Sequence, residues 1–139
     1  MSFLMKRIED EYIKYAVKWG ENTKLLPFGT IPTGNGGFHI ELSNNGKIAL
    51  VATDRNVETS RQETYSVDEI LYWMFSLRAR ARGRSFELKN RHPTDDSRRL
   101  AFSKALEEIG KLNPEWQERM KNEQEEILRR HPFKDGSNV

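Results

Sequence analysis

The sequence predicts an α+β domain: an N-terminal helix, a small antiparallel β-sheet (a hairpin or three-stranded meander), then three helices. Three observations carry this. Apolar residues recur at helical spacing near the N-terminus and throughout the second half of the chain. Alternation with period two is confined to the region around Phe38 to Ala52. Between its two alternating runs lies Asn44-Asn45-Gly46, whose residues accept the positive φ that hairpin turns demand.

Each element has a local reason. Leu4, Ile8, Tyr12, Tyr15 and Trp19 form one stripe of a first helix, capped by Ser2, running to about Lys18 and stopped by Gly20. The stretch from Lys24 to Gly37, broken by Pro27 and Pro32, reads as an irregular loop. Within it, Gly34-Asn35-Gly36-Gly37 reads as a turn and not as a phosphate cradle, because it leads into a strand and lacks a following Lys-Ser/Thr. Phe38, Ile40 and Leu42 make one half-buried strand, and Ile48, Leu50 and Ala52 make its partner. A third strand over 57–65 is polar on both faces, as suits a sheet edge.

Ser66 and Glu69 form a capping box for a helix that Gly83 would end after about Arg82. Its apolar face is broad, taking in Val67, Ile70, Leu71, Trp73, Met74, Phe75 and Leu77, which predicts burial on more than one side. Ser85 to Leu88 reads as a short extended piece, and His92-Pro93 interrupts the chain. A third helix covers about 96–111. Asn113-Pro114 supplies an N-cap and first-position pair for a fourth helix reaching about Arg130, which Pro132 ends. The expectation is one domain over 1–133, with 134–139 as a frayed tail.

Composition narrows the function classes. At 139 residues with 36% hydrophobic and 32% charged residues, the chain is a globular domain with a heavily solvated shell. Its net charge of +2 is too small to imply nucleic acid by itself. The absence of cysteine rules out disulfides and thiolate metal sites. The longest uncharged apolar run, Ile70 to Leu77, is too short to span a bilayer. The first ten residues carry acidic side chains and no A-x-A-like site, so no signal peptide is expected, and a cytoplasmic bacterial protein is.

No residue pattern argues for catalysis. There is no G-x-S-x-G, and His39, His92 and His131 are far apart and outside any metal-ligand spacing, so no metal and no cofactor are expected. The informative charges are those that fall on apolar helix faces. Arg98 lies amid Ala101, Phe102, Ala105, Leu106, Ile109 and Leu112, and Glu123 lies amid Trp116, Met120 and Ile127. A buried charge needs a partner, and both Glu123 and Glu87 are allowed ones for Arg98. Residues 78–99 hold eight basic and three acidic residues, which leaves open a small nucleic-acid-binding regulatory module as the alternative function. Against it, spacing of two spreads Arg78, Arg80, Arg82 and Arg84 over two helix faces, and no aromatics interleave to stack bases.

The string Phe86-Glu87-Leu88-Lys89-Asn90-Arg91, followed by Asp96-Ser97-Arg98-Arg99 with Phe102, Leu106 and Leu112, resembles the immunity protein 63 family of bacterial polymorphic toxin systems. Trp116, Arg119, Glu123, Ile127-Leu128 and the closing His131-Pro132-Phe133 continue the likeness, and Asp68 to Trp73 suits its core helix. The resemblance implies a non-enzymatic protein that binds and neutralises a cognate toxin, with no membrane and no small-molecule substrate. It implies a family polar set of Glu87, Arg91, Asp96, Arg98 and Glu123, read as structural. For the toxin-facing surface, the outward acids Glu115, Glu118, Glu125 and Glu126 on the fourth helix are the candidates.

Overall fold

The computed structural model describes residues 3–23, 26, 28–30 and 35–136. The element order is α1 (Phe3–Lys18), β1 (Asn35–Leu42), β2 (Ile48–Asp54), β3 (Val57–Thr64), α2 (Val67–Lys89), α3 (Arg98–Gly110) and α4 (Pro114–Arg130). This is the expected α+β succession of one helix, a three-stranded antiparallel sheet and three helices. Contacts group the residues into two compact units, Met1–Trp73 and Met74–Val139, and α2 contributes to both.

In the first unit, α1 buries Met5, Ile8, Tyr12 and Ala16. The stripe is thus rotated slightly from the predicted one, with Leu4, Tyr15 and Trp19 only half-buried. Gly20 adopts φ 78°, and the amide of Glu21 donates to the Ala16 carbonyl, closing the helix as its sequence requires. The expected cap Ser2 lies outside the described residues.

The sheet has the order β1-β2-β3. Gly46 takes φ 89° in the predicted turn, where the Ser43 amide donates to the Lys47 carbonyl. A second tight turn was not anticipated: Arg55 and Asn56 both have positive φ, the pattern of a two-residue type I′ hairpin. β1 starts at Asn35, earlier than expected, so Asn35, Gly36 and Gly37 belong to a strand with an irregular register before Phe38; Gly34 lies outside the described residues.

β2 is buried from Ile48 to Thr53 on both faces, although its β3 neighbours are almost all exposed. The register explains this. Ala49 is flanked by Glu41 and Glu63, and Val51 by His39 and Arg61. The Arg61 guanidinium reaches Glu41 at 2.8 Å and Glu58 at 2.9 Å, and His39 Nε2 lies 2.9 Å from Glu41. Long side chains from the two outer strands therefore meet over the small residues of the middle one, and their aliphatic stems cover it. The opposite face contributes Ile40, Ile48 and Leu50, each fully buried, and each such side chain contributes about 1.5–3 kcal/mol. Exposed pairs like Arg61–Glu58 are screened by solvent and contribute little, so the apolar face dominates the sheet's stability.

Ser66 Oγ accepts from the Glu69 amide at 3.1 Å, so the predicted cap starts α2. From Ile70 to Ser76 the helix is buried at every position but Trp73, in line with its broad apolar face. It does not end at Gly83. It runs to Lys89, so the short extended piece over Ser85 to Leu88 is helical instead. Gly83 is not in the left-handed region that stops helices. Its role is steric: a Cβ there would collide with the Ala101 carbonyl oxygen and crowd the Ala105 amide.

Candidate functional site

In the second unit the later part of α2, together with α3 and α4, forms one cluster. Gly83 lets the α3 backbone come close to α2, and Ala79 and Ala105 nearby are fully buried. Phe75 of α2 stacks on Trp116 of α4, with ring centroids 5.9 Å apart. Asn113 Oδ1 accepts from the amides of Glu115 and Trp116, the predicted cap of α4. The buried face of α4 is Trp116, Met120 and Gln124, with Ile127 41% exposed. Glu123 is therefore beside the buried stripe and not at its centre. Gln124 donates to the Phe102 carbonyl and Gln117 to that of Leu106, pinning α4 to α3. Gly110 leaves the room that the Gln117 side chain fills.

All five family-motif charges are engaged within this unit, but not in the combinations the sequence left open. Glu87, buried on α2, takes a bidentate pair of hydrogen bonds from Arg91 at 2.8 and 2.9 Å. Arg91 holds the Glu87 carboxyl below its usual range. Glu123 pairs with Arg80 at 3.1 Å and with Arg119 at 3.5 Å.

Arg98 pairs with neither Glu123 nor Glu87. Its Nη2 and Nε donate to Asp96 at 2.9 and 3.2 Å. Its Nη1 donates to the His131 carbonyl and its Nη2 also to that of Pro132, both at 2.8 Å. The reason is positional. Arg98 is the first residue of α3, beside the returning chain that follows α4, and only 28% of its side chain is exposed there. Asp96 also accepts from the amides of Arg98 and Lys134. Arg98 first, then these two amides, push the Asp96 carboxyl well below the usual carboxylate range.

The chain after α4 is thus anchored beyond Phe133. Asp135 accepts from the Asp96 amide at 2.9 Å and from Arg99 at 2.7 and 2.8 Å. Arg98 and Arg99 both lie over the Phe133 ring, which also contacts Phe102. Lys134 and Asp135, placed in a frayed tail by sequence, are held by hydrogen bonds; residues 137–139 lie outside the described ones.

Sequence reasoning missed one buried charge. Glu108, which the sequence did not single out, is buried on α3 between Arg82 at 2.9 Å and Lys111 at 2.6 Å. Burial works to raise its pKa, but Lys111 and Arg82 outweigh it and the net direction is down. Its spacing from Ala105, Ile109 and Leu112 was the signal available. Three of the arginines that suggested nucleic acid, Arg80, Arg82 and Arg91, are thereby engaged by Glu123, Glu108 and Glu87.

Glu115, Glu118 and Glu125 are exposed on α4, as the acidic-surface reading requires. Glu126 is half-buried and paired with Arg129 at 2.8 Å and Arg130 at 3.3 Å, which reduces its share of that charge.

A groove of about 360 Å³ lies between α2 and α3. Arg80, Arg84, Glu87 and Leu88 line it from α2, Arg91 follows, and Ala101, Phe102 and Ala105 form its α3 wall with Ser97 and Arg98 at one end. Positions 80, 84, 87, 88 and 91 repeat at helical spacing, so one face of α2 supplies most of the rim. No group of three or more His, Cys, Asp or Glu among the described residues could hold a metal ion. No helix among them is long and apolar enough to cross a membrane.

Residues 44–126, more than half of the chain, match the immunity protein 63 family. The chain belongs to that family. The matched segment opens at the hairpin turn and takes in β2, β3, α2, α3 and most of α4. Family membership therefore covers more of the sheet than the residues that first suggested it, and all five polar motif residues fall inside it. The Arg98 contacts with His131 and Pro132 bind the matched segment to chain beyond it. No curated protein matches this chain, and no solved structure does.

Proposed function

We propose that this member of the immunity protein 63 family binds and neutralises a cognate bacterial toxin, by covering the toxin's working surface and without chemistry of its own. The observation that carries the reading is the family match over residues 44–126. Two features of the side chains agree with it. The buried and part-buried charges Glu87, Asp96, Arg98 and Glu108 are engaged in intramolecular pairs, and those of Glu108 and of Asp96 with Arg98 tie α2 to α3 and hold the chain end. Arginine and aromatic side chains such as Arg84 and Tyr65 remain exposed at the surface, the residue types on which binding energy concentrates.

The protein acts in the cytoplasm of the cell that also makes the toxin. Glu115, Glu118 and Glu125 form an exposed acidic surface on α4 that favours approach of a basic partner. The test is co-expression. The chain is produced with the product of each neighbouring gene, and growth is followed with and without it. Protection from one otherwise lethal product, together with a stoichiometric complex of the two purified proteins, is the expected result. If no neighbouring product is both lethal alone and harmless beside this chain, the reading falls.

A further inference from the structure

The groove between α2 and α3 has an imbalance of charge and an uncovered apolar edge in the same place. Arg80, Arg84, Arg91 and Arg98 line it. Three of them have carboxylates of their own: Glu123 for Arg80, Glu87 for Arg91 and Asp96 for Arg98. Arg84 is exposed and has no ion-pair partner among the described residues. One helical turn further on, Leu88 is 67% exposed, and it shares the groove with the apolar wall of Ala101, Phe102 and Ala105, so the apolar surface there is continuous and not a single scattered side chain.

From this we infer that the groove is the docking site for a segment of the partner protein in which an acidic side chain neighbours a large apolar one. The inference rests on the immunity reading for the identity of the partner. Charge complementarity selects the occupant. The three paired arginines are neutralised locally, so the groove calls for one further carboxylate, directed to Arg84, where bidentate pairing is available to a guanidinium. The apolar neighbour covers Leu88 and reaches towards Phe102. A volume of about 360 Å³ is at the low end for ligand sites and suits a few side chains projecting from a peptide. Nucleic acid is disfavoured on the same count, since phosphate backbones are held by several uncompensated cations and the groove offers one.

The test uses the whole chain and two fluorescein-labelled peptides, one alternating glutamate with leucine and one alternating lysine with leucine, followed by anisotropy. Saturable binding of the first and none of the second is expected. Arg84→Glu and Leu88→Glu should each weaken it by about tenfold or more, while Arg84→Lys, which keeps the charge but loses the fork, should weaken it less than Arg84→Glu does. Both residues are exposed, and melting temperatures matching the wild type establish that the variants fold. No saturable binding of the acidic peptide, or binding indifferent to both substitutions, overturns the site. Arg84-dependent binding of a short single-stranded oligonucleotide with none of the acidic peptide overturns it in favour of nucleic acid.

A cellular arm separates this proposal from the function it rests on. If the wild type protects cells from its toxin and Arg84→Glu and Leu88→Glu protect equally, the groove is not the docking site and immunity stands. If the wild type protects no cell, the immunity reading falls, and the peptide titration alone decides the groove.

Discussion

Arg98 and Asp96, two residues apart in sequence, form a hydrogen-bonded pair that also grips the chain end: the same guanidinium donates to the carbonyls of His131 and Pro132. Asp96 completes the clasp from its side by accepting the Lys134 amide. Every donor so engaged would otherwise need water or another acceptor, and the site is part-buried. Arg98→Ala is therefore expected to destabilise the fold by about 2–3 kcal/mol. Arg98→Lys should recover little of this, because an ammonium cannot present the forked geometry. Urea denaturation of the two variants beside the wild type checks both statements; a fully stable Arg98→Lys would show that charge alone suffices.

Gly83 gives a second prediction in which two effects oppose each other. In an open helix, replacing glycine with alanine stabilises by roughly 0.5–1 kcal/mol. Here the added methyl would meet the Ala101 carbonyl oxygen, which is backbone and cannot swing aside. Separating α2 from α3 loses packing around Ala79 and Ala105, and overpacking of this kind costs about 1–3 kcal/mol. Gly83→Ala should lower stability by thermal or urea denaturation. A gain of about 1 kcal/mol would mean that the helices are free to part.

These two sites also mark where sequence reasoning succeeds and stops. Asn44-Asn45-Gly46, Ser66 with Glu69, and Asn113-Pro114 act through bonds to residues at most a few positions away, so their effect is written locally and each was legible. Gly83 looked like a helix stop because the residue that requires it, Ala101, is distant in sequence. The polar set of Glu87, Arg91, Asp96, Arg98 and Glu123 was legible as residue types, but not the pairing of Arg98, whose carbonyl partners lie more than thirty residues away. The groove was hidden by the same error: with the helix ended at Gly83, Arg84 and Leu88 were not one turn apart on a shared face.

Acid should dissolve these pairs together. Asp96, Asp135, Glu87, Glu108 and Glu41 all have carboxyls held below their ordinary values of 3.8 for Asp and 4.5 for Glu. A carboxyl whose pKa is lower in the folded than in the unfolded chain contributes stability that is complete above the unfolded value and is lost as pH falls through the folded one. Stability should therefore vary little with these groups above about pH 5 and decline below about pH 4. Asp96→Asn should be less stable than the wild type near neutrality, with the gap narrowing on acidification. Chemical denaturation at a series of pH values tests it, and a gap that stays constant would assign the loss to geometry and not to charge.

The acidic face of α4 and the groove between α2 and α3 should leave different kinetic signatures in the proposed toxin complex. Long-range attraction acts before contact, so it raises the association rate and weakens with salt, whereas a side chain seated in a groove acts after contact and slows dissociation. Reversing Glu115, Glu118 and Glu125 to lysine is expected to slow association several-fold and flatten its dependence on ionic strength, with dissociation nearly unchanged. These three are exposed, and the more deeply placed Glu126, paired with Arg129 and Arg130, is left intact to keep that end of the helix as it is. Arg84→Glu should do the reverse, leaving association within a few-fold of wild type and speeding dissociation. Surface plasmon resonance at two salt concentrations reads both. If the triple reversal leaves association untouched, the α4 acids are solvated charge with no part in the encounter. If it speeds dissociation as much as Arg84→Glu does, α4 lies inside the interface and the division of labour between the two surfaces is wrong.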